Sequence, residues 1–371
     1  MIESVESTQP RPSRPGPAPR SEVSLRDVAR LAGVSPSTVS RVVSGSDHPV
    51  SAEARARVLE AAQRLRFRPN RVARALATAR TQTIGVIVHD AADPYFAQII
   101  RGLEDVAGEY DHALFVASSD RDPEIELACV RAFLSHQVDA IVLAASGIDK
   151  PEHLADMAQL FDLFIARGGH VVSLSEHPYP SPGIRIDNHG VAVMATQHLI
   201  DLGHERISFL AGPNELFVSK VRLDGYRSAL LSAGIPFDPH LVFDGYFSLE
   251  GGRAASRRVV ESDVTGIVAA NDLTAIGAIR GLAEQGMRVP DDISVIGIND
   301  ITFADYAPVP LTTVHVALTE LGRMGAGLVM TLLQDGHTDS GVMPHWLIPR
   351  QSTAPPPIRP DVSVDGLLPP D

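Results

Sequence analysis

The sequence predicts an all-α helix-turn-helix headpiece joined to an α/β core of two doubly wound, parallel-sheet lobes. Three observations carry this reading. Residues Ser24–Ser44, SLRDVARLAGVSPSTVSRVVS, hold apolar side chains at helical spacing, broken by a glycine and restarted by a Ser-Pro pair. From Thr83 onward, continuous apolar, β-branched runs alternate with amphipathic stretches of helix length, the grammar of parallel sheets covered on both faces. The alternation repeats too often for one small sheet, and 371 residues exceed one average domain.

Residues 1–23 contain five prolines and almost no apolar side chains, so they cannot bury enough surface to order themselves and are expected to form a flexible arm. Ser24 then starts a helix: its hydroxyl caps free N–H groups, and Asp27 sits in the positive first turn. Leu25, Val28, Ala29 and Ala32 recur at helical spacing until Gly33. Ser35-Pro36 opens a second helix with a capping hydroxyl and a proline at the first position; Val39, Val42 and Val43 form its buried stripe. An ordinary αα-corner shares this grammar, and the flanks decide between the two. Ser51 caps a third helix with Ala54, Val58, Ala61, Ala62 and Leu65 inward and Arg55, Arg57 and Arg64 outward. Phe67-Arg68-Pro69 closes a headpiece spanning 24–69. Asn70 caps a short segment, Arg71–Ala79, with Val72 and Leu76 on one face and Arg71 and Arg74 on another. An isolated helix of about nine residues is marginal in water, so this linker, 70–82, needs a partner to fold.

The core, 83–354, reads as TIGVIV, ALFVAS, VDAIVLAA and HVVSL alternating with helices at Tyr95–Tyr110, Glu124–His136 and Pro151–Ala166. A second series follows: IRID, RISFLAG, LVFDGY, GIVAAN and SVIGIND, with helices at Val191–Leu202, Val218–Ala233, Leu249–Glu261 and Leu273–Gln285. Two lobes of roughly five or six strands each accommodate these units. The segments TTVHV, Leu318–Leu333 and HWLIP complete both lobes by crossing back between them, and the proline-rich 355–371 should be loose.

Composition limits the function. Hydrophobic residues make up 44%, enough for a full core. No apolar run approaches the roughly 20 residues of a membrane span, and the N-terminus shows no apolar h-region, so secretion is not expected. The single cysteine, Cys129, lies in a helical pattern and reads as a buried structural thiol. The net charge of −13 hides a segregation: residues 1–80 hold 14 Arg against 7 Asp/Glu. Subtracting from the totals of 32 and 45 leaves 18 basic and 38 acidic residues in 81–371. A small basic head on a large acidic body localises phosphate attraction to one end, as suits a DNA reader with a separate sensing domain.

The chain resembles the lactose/galactose-repressor family of bacterial transcriptional regulators. The resemblance rests on DVARLAGVSPSTVSRVVSG and VSAEARARVLEAAQRLRFRPNRVARALATART in the head, and on IGVIVHDAADPYFAQIIRGLED, HLIDLGHERISFLAGP, RLDGY, AANDLTAIGA, VPDDISVIGINDITFADYAPVPLTTV and ELGRMGA in the body. It covers roughly residues 24–354 and implies a periplasmic-binding-protein-like core. It further implies a homodimer whose two heads dock on pseudo-palindromic, double-stranded operator DNA, each laying its second helix in a major groove. The DNA-facing set is then Ser35, Pro36, Ser37, Thr38, Ser40 and Arg41, with Pro36, Ser37 and Arg41 as base-edge readers and Thr38 and Ser40 nearer the backbone. Pro36 departs from the polar or aromatic residue of many members and offers only an apolar contact. Arg41 can bind guanine bidentately; a phosphate contact is the alternative. Asn70, Arg71 and Arg74 match the hinge helix, and Leu76 the leucine that levers open the central step from the minor groove, implying a central CG. Packing of Leu76 on the core is the other reading.

The resemblance places a small-molecule effector, a sugar or sugar derivative, between the lobes at the C-terminal strand edges. Arg222 would present a planar fork, Asn271 and Asn299 would donate to and accept from neighbouring hydroxyls, and Tyr95, Phe96 and Phe247 would supply flat walls. Asn299 and Ser175 stand where many sugar-responsive members carry aspartate, which weakens the case for a simple neutral monosaccharide; His89 ends the first strand and can point into the same cleft. Each has a structural alternative: a surface ion pair for Arg222, strand-end turns for the asparagines, core packing for the aromatics. The expected function is a cytoplasmic, nucleoid-associated repressor without cofactor. A transport solute-binding protein shares the core architecture, but the headpiece argues against it. An enzyme is not expected, because no Ser/His/Asp order, metal-spaced His/Cys set or phosphate-binding glycine loop is present.

Overall fold

The computed structural model describes residues 23–43, 49–67, 80–334, 336 and 340–357, in two units, Met1–Ala79 and Arg80–Asp371. The N-terminal arm to residue 22, the hinge segment 70–79 and the tail beyond 357 therefore lie outside the described residues.

Three helices build the first unit: α1 (Leu25–Ala32), α2 (Pro36–Val43) and α3 (Ala52–Arg64). Ser24 Oγ accepts the Asp27 N–H at 3.3 Å while the Asp27 carboxylate accepts the Ser24 N–H at 3.0 Å, closing both halves of a capping box. Gly33, at φ 62°, turns the chain in the left-handed region and returns its N–H to Ala29 O. Ser51 Oγ caps α3 by accepting the Ala54 N–H. Val28, Ala29, Ala32, Val39, Val42, Val58 and Ala61 meet in one buried cluster, with Leu25, Val34, Leu65 and Phe67 packed on its rim. The spacing of these residues is what joins three short helices that would not persist singly.

The second unit holds two lobes. In the first, β1 (Thr83–Val88), β2 (Ala113–Ser118), β3 (Ala140–Leu143) and β4 (His170–Ser173) form a parallel sheet in the order β2-β1-β3-β4. Between them run α4 (Pro94–Glu109), α5 (Pro123–Ser135) and α6 (Pro151–Ala166). The chain crosses through β5 (Ile184–Ile186) into the second lobe. There α7 (Asn188–Asp201), β6 (Ile207–Ala211), α8 (Phe217–Ser232), β7 (Val242–Asp244), α9 (Leu249–Val260), β8 (Gly266–Ala269), α10 (Asp272–Ala283), β9 (Ser294–Asn299) and β10 (Thr312–Val316) follow. It crosses back as α11 (Leu318–Leu333), which packs on α4, and returns through β11 (Gly341–Met343) to β12 (His345–Ile348). The second sheet has the order β12-β10-β9-β8-β6-β7.

Two expectations need correction. The first sheet has four strands rather than five or six, because the short IRID strand pairs with β11 in a separate two-stranded sheet at the crossing. The second sheet is not wholly parallel: β12 runs antiparallel to β10. Parallel neighbours need a helix-length crossover, and the one after β10 leads into the first lobe, so the strand that returns directly runs the other way. Several helices also start earlier than their apolar period suggests. Asp93, Asp122, Asp187 and Asn271 each cap a helix by accepting a first-turn N–H, and the polar or proline residues of that turn hide the period. Cys129 is half-buried rather than buried, and desolvation pushes its thiol pKa up, which suits an inert residue.

A clasp ties the lobes on one side of the cleft. Ile148 and Leu216 pair as an antiparallel bridge, both fully buried. Around it Phe217 N–H donates to Gly147 O at 3.2 Å and Val218 N–H to Ser146 Oγ at 3.1 Å, while Lys220 pairs with Asp149.

The α4–α11 contact brings backbones together through glycine. A Cβ on Gly102 would lie 1.9 Å from Thr319 O, and one on Gly322 would lie 2.1 Å from Ile99 O. Gly102→Ala is accordingly expected to lower core stability by about 1–3 kcal/mol, read as a lower urea midpoint at unchanged slope, because the opposing atoms are main chain and cannot swing aside. No helix among the described residues is long and apolar enough to cross a membrane.

Candidate DNA-reading helix and effector cleft

In the headpiece, Val39 and Val42 turn inward, which leaves Ser35, Pro36, Ser37, Ser40 and Arg41 exposed and Thr38 half-buried. Ser35 Oγ accepts the Thr38 N–H at 3.1 Å and lies 2.7 Å from Ser37 Oγ and 2.8 Å from Thr38 Oγ1. Three hydroxyls are thus linked at the N-terminal end of α2, where partial positive charge favours a phosphate or a base-edge acceptor. Ser35 serves foremost as the cap, a role its position before Pro36 foreshadows. The other four predicted DNA-facing residues, Asn70, Arg71, Arg74 and Leu76, lie outside the described residues.

In the second unit all eight predicted cleft residues, His89, Tyr95, Phe96, Ser175, Arg222, Phe247, Asn271 and Asn299, line one cavity with about 440 Å³ of empty space, part of it open to solvent. The reason is topological. His89 follows β1, Ser175 follows β4, Phe247 follows β7, Asn271 follows β8 and Asn299 ends β9, so both sheets deliver side chains from their carboxyl edges.

Arg222, on α8, is only 3% exposed. Its Nε donates to Asn188 Oδ1 at 2.8 Å, Nη2 to Asn299 Oδ1 at 3.0 Å, and Nη1 to Ala270 O. It is therefore a buried clamp between α7, β8 and β9 as well as a wall of the cleft, not a surface ion pair. Burial lowers its pKa, against which the charges of Tyr95, Glu176 and Asp272 act. Its guanidinium carbon lies 6.0 Å from the Phe247 ring centre. The asparagines prove partly structural: Asn271 Oδ1 caps α10 through Thr274 N–H at 2.9 Å, and its Nδ2 donates to Phe247 O at 3.3 Å. Tyr95 and Phe96 meet edge to face, 4.9 Å between centres, and the Phe96 edge continues to His89 at 5.9 Å. Behind the cleft Asp272 accepts from Thr313 Oγ1 at 2.6 Å and Ile301 N–H at 2.8 Å; burial nevertheless pushes its carboxyl up to about 7.

His89 is 4% exposed; its Nδ1 lies 3.2 Å from Ser119 Oγ, and Nε2 is buried without a protein partner. Burial, with the Arg121 charge adding to it, depresses its pKa from 6.5 to about 3. Between those values the unfolded chain binds a proton that the folded chain does not, so stability rises with pH. The melting temperature is expected to fall as pH drops from about 6.5 towards 3, with His177, depressed to about 4, adding to the slope. His89→Gln should reduce that slope by up to one proton, about 1.4 kcal/mol per pH unit, as scanning calorimetry across that range would show.

The cavity also includes Asp93, Arg121, Ala144, Ser146, Leu216 and Val218, which the sequence reading did not single out. Asp93 was legible as the cap before Pro94, and Arg121 as a residue just beyond β2, had every strand end been treated alike. Leu216 and Val218 reach the site only because the clasp folds over it. Among the described residues, no group of three or more His, Cys, Asp or Glu is placed to hold a metal ion.

Comparison with known proteins matches these two units. Residues 24–70 match the lacI family of bacterial regulatory proteins and residues 196–353 a periplasmic binding protein-like domain. Catabolite control protein A of Priestia megaterium is 32% identical over 336 residues, covering 89% of this chain and 99% of that protein. A solved complex of the transcriptional regulator CelR with cellobiose shares 34% identity at a TM-score of 0.65, over 89% of this chain and 100% of that one. The Lac repressor dimer bound to operator and the anti-inducer ONPF shares 28% identity at a TM-score of 0.78, over 90% of this chain and 99% of that one. A transport solute-binding protein, the other reading of the core, leaves the headpiece match unaccounted for. With head and core both matched, and with relatives aligned over nearly their whole length, the chain belongs to the lacI family and is a DNA-binding transcriptional regulator.

Proposed function

We propose that this regulator is a repressor that reads a pseudo-palindromic operator as a homodimer, under control of a sugar or sugar derivative held in the cleft. It acts by binding rather than catalysis, in the cytoplasm, where its DNA lies. The observation that carries the reading is a cavity lined from the carboxyl edges of both sheets, in a chain whose other unit exposes a helix start rich in hydroxyls. Residues 24–69 would dock on DNA, with Pro36, Ser37 and Arg41 at base edges and Thr38 and Ser40 at the backbone. Residues 70–82 would link head to core, with Asn70, Arg71 and Arg74 near phosphate and Leu76 as the minor-groove wedge. In the cleft, Arg222, Asn271, Asn299, Ser175 and His89 would meet the effector's polar groups, and Tyr95, Phe96 and Phe247 its apolar faces.

The coupling follows from the clasp. An effector that prefers the closed or the open cleft shifts the lobe equilibrium by its differential affinity, and DNA must shift it reciprocally. The test has two stages: selection of bound sequences from a random duplex pool, then operator titration with and without a panel of sugars, polyols and sugar acids. A symmetric consensus whose affinity changes with one panel member supports the reading. An asymmetric site, or a symmetric one indifferent to every small molecule that binds the core, would exclude it.

A further inference from the structure

The charges in the cleft do not balance. Arg222 is buried, yet each of its three hydrogen-bond acceptors is neutral: Asn188 Oδ1, Ala270 O and Asn299 Oδ1. The carboxylates nearby are engaged elsewhere, Glu176 with Asn188 Nδ2 at 2.7 Å and Asp272 with Thr313 and Ile301. A second guanidinium, Arg121, lines the same cavity and makes no hydrogen bond or ion pair with any described residue; its Nε is buried without a partner. His89 Nε2, buried on the same cavity wall, makes no well-formed hydrogen bond, although the Ser146 main chain acts on the ring as a hydrogen-bond partner. Against two guanidinium groups the lining carries one carboxylate, Asp93. That carboxylate accepts the Tyr95 N–H at 2.9 Å; burial raises its pKa while the Arg121 charge opposes the shift, so it offsets at most one of the two guanidinium charges.

A cavity wall with two guanidinium groups against one carboxylate, one of them making no hydrogen bond to a described residue, selects for a ligand that brings negative charge. The hydroxyls of a neutral sugar can satisfy single donors but cannot cancel the charge. A carboxylate or phosphate does both, because the Nε edge of a guanidinium matches two oxygens side by side. When the Ser119 hydroxyl donates to His89 Nδ1, Nε2 carries the proton and can donate to the same anion. The remaining lining suits a sugar ring: Ser146 and Ser175 for hydroxyls, Phe96 and Phe247 for its apolar faces.

Resting on the effector-cleft reading above, we infer that the cleft takes an anionic sugar derivative whose carboxylate or phosphate sits on Arg121 and His89. Calorimetric titration of the full-length protein tests this with matched pairs: D-glucuronate and D-gluconate against D-glucose, D-galacturonate against D-galactose, and glucose 6-phosphate as the phosphate arm. At least one acid should bind at least tenfold more tightly than its neutral parent, the uronate and phosphate arms telling which anion is taken. Arg121→Gln, a change on a loop outside the sheets, should weaken that acid about 10- to 100-fold and leave the parent sugar unchanged. If no acid binds, or if acid and parent bind alike and both weaken in Arg222→Lys, the anion assignment is overturned while a neutral-effector cleft can stand. An acid that binds equally to wild type, Arg121→Gln and Arg222→Lys would place the ligand elsewhere and overturn the cleft reading itself.

Discussion

Removing residues 1–79 is expected to abolish specific operator binding, a loss of about a thousandfold or more, while effector binding by the remaining core persists. Every candidate base-edge reader lies in that unit, and its buried cluster, from Val28 to Ala61, is its own. The charge segregation points the same way: 14 of the 32 basic residues lie in residues 1–80, and the remainder holds 18 basic against 38 acidic groups. Without its head the core should repel DNA rather than retain a weak hold on it. Band-shift titration at fixed salt, beside calorimetry with the effector, separates the two activities. Wild type should weaken steeply with rising salt as phosphate counterions are released. A headless core that still held operator tightly would place a DNA-binding surface on an acidic body and refute the division of labour.

Arg222→Ala should have the next largest effect, and it should act twice. Removing the guanidinium leaves Asn188 Oδ1, Ala270 O and Asn299 Oδ1 without their shared donor. Bonds from a charged donor are worth about 1.5–3 kcal/mol each, and relief of the desolvated cation together with entering water offsets part of the sum. A net loss of roughly 2–4 kcal/mol in core stability is expected. The effector response should disappear as well, because the same fork faces the cavity. Operator affinity without effector should stay near the wild-type value, since the headpiece is a separate unit. Urea unfolding and operator titration with and without effector read the two effects independently. Arg222→Lys keeps the charge but cannot span three acceptors, so it should recover part of the stability and little of the response. A full effector response in Arg222→Ala would remove this residue from the site.

The reach of any effector signal is bounded by its preference for one lobe arrangement. The clasp across Ile148 and Leu216, with its hydrogen bonds and the Lys220–Asp149 pair, is one of the places where the two lobes are joined, beside the crossing segments.

What the sequence by itself determined was local and periodic. The capping box at Ser24 and Asp27, the left-handed Gly33 and the Ser35-Pro36 restart define the two helices of the head from nearest-neighbour chemistry alone. Apolar runs set most of the core strands, and it was the family resemblance, with the rule that parallel sheets bind ligands at their carboxyl edges, that named eight residues which line one cavity. What only the tertiary structure decided was partnership. Nothing near Arg222 in sequence shows that its fork would be held by Asn188, Ala270 and Asn299, which come from different elements and meet only when the second lobe closes its sheet. Arg121 carries no local sequence signal; that it lines the cavity with no hydrogen bond to any described residue shows only once the wall exists around it. The antiparallel β12, the detached β5–β11 pair and the clasp were hidden for the same reason. Propensity and period act over a few residues, whereas strand direction, burial and charge balance depend on which distant segments the crossings bring together.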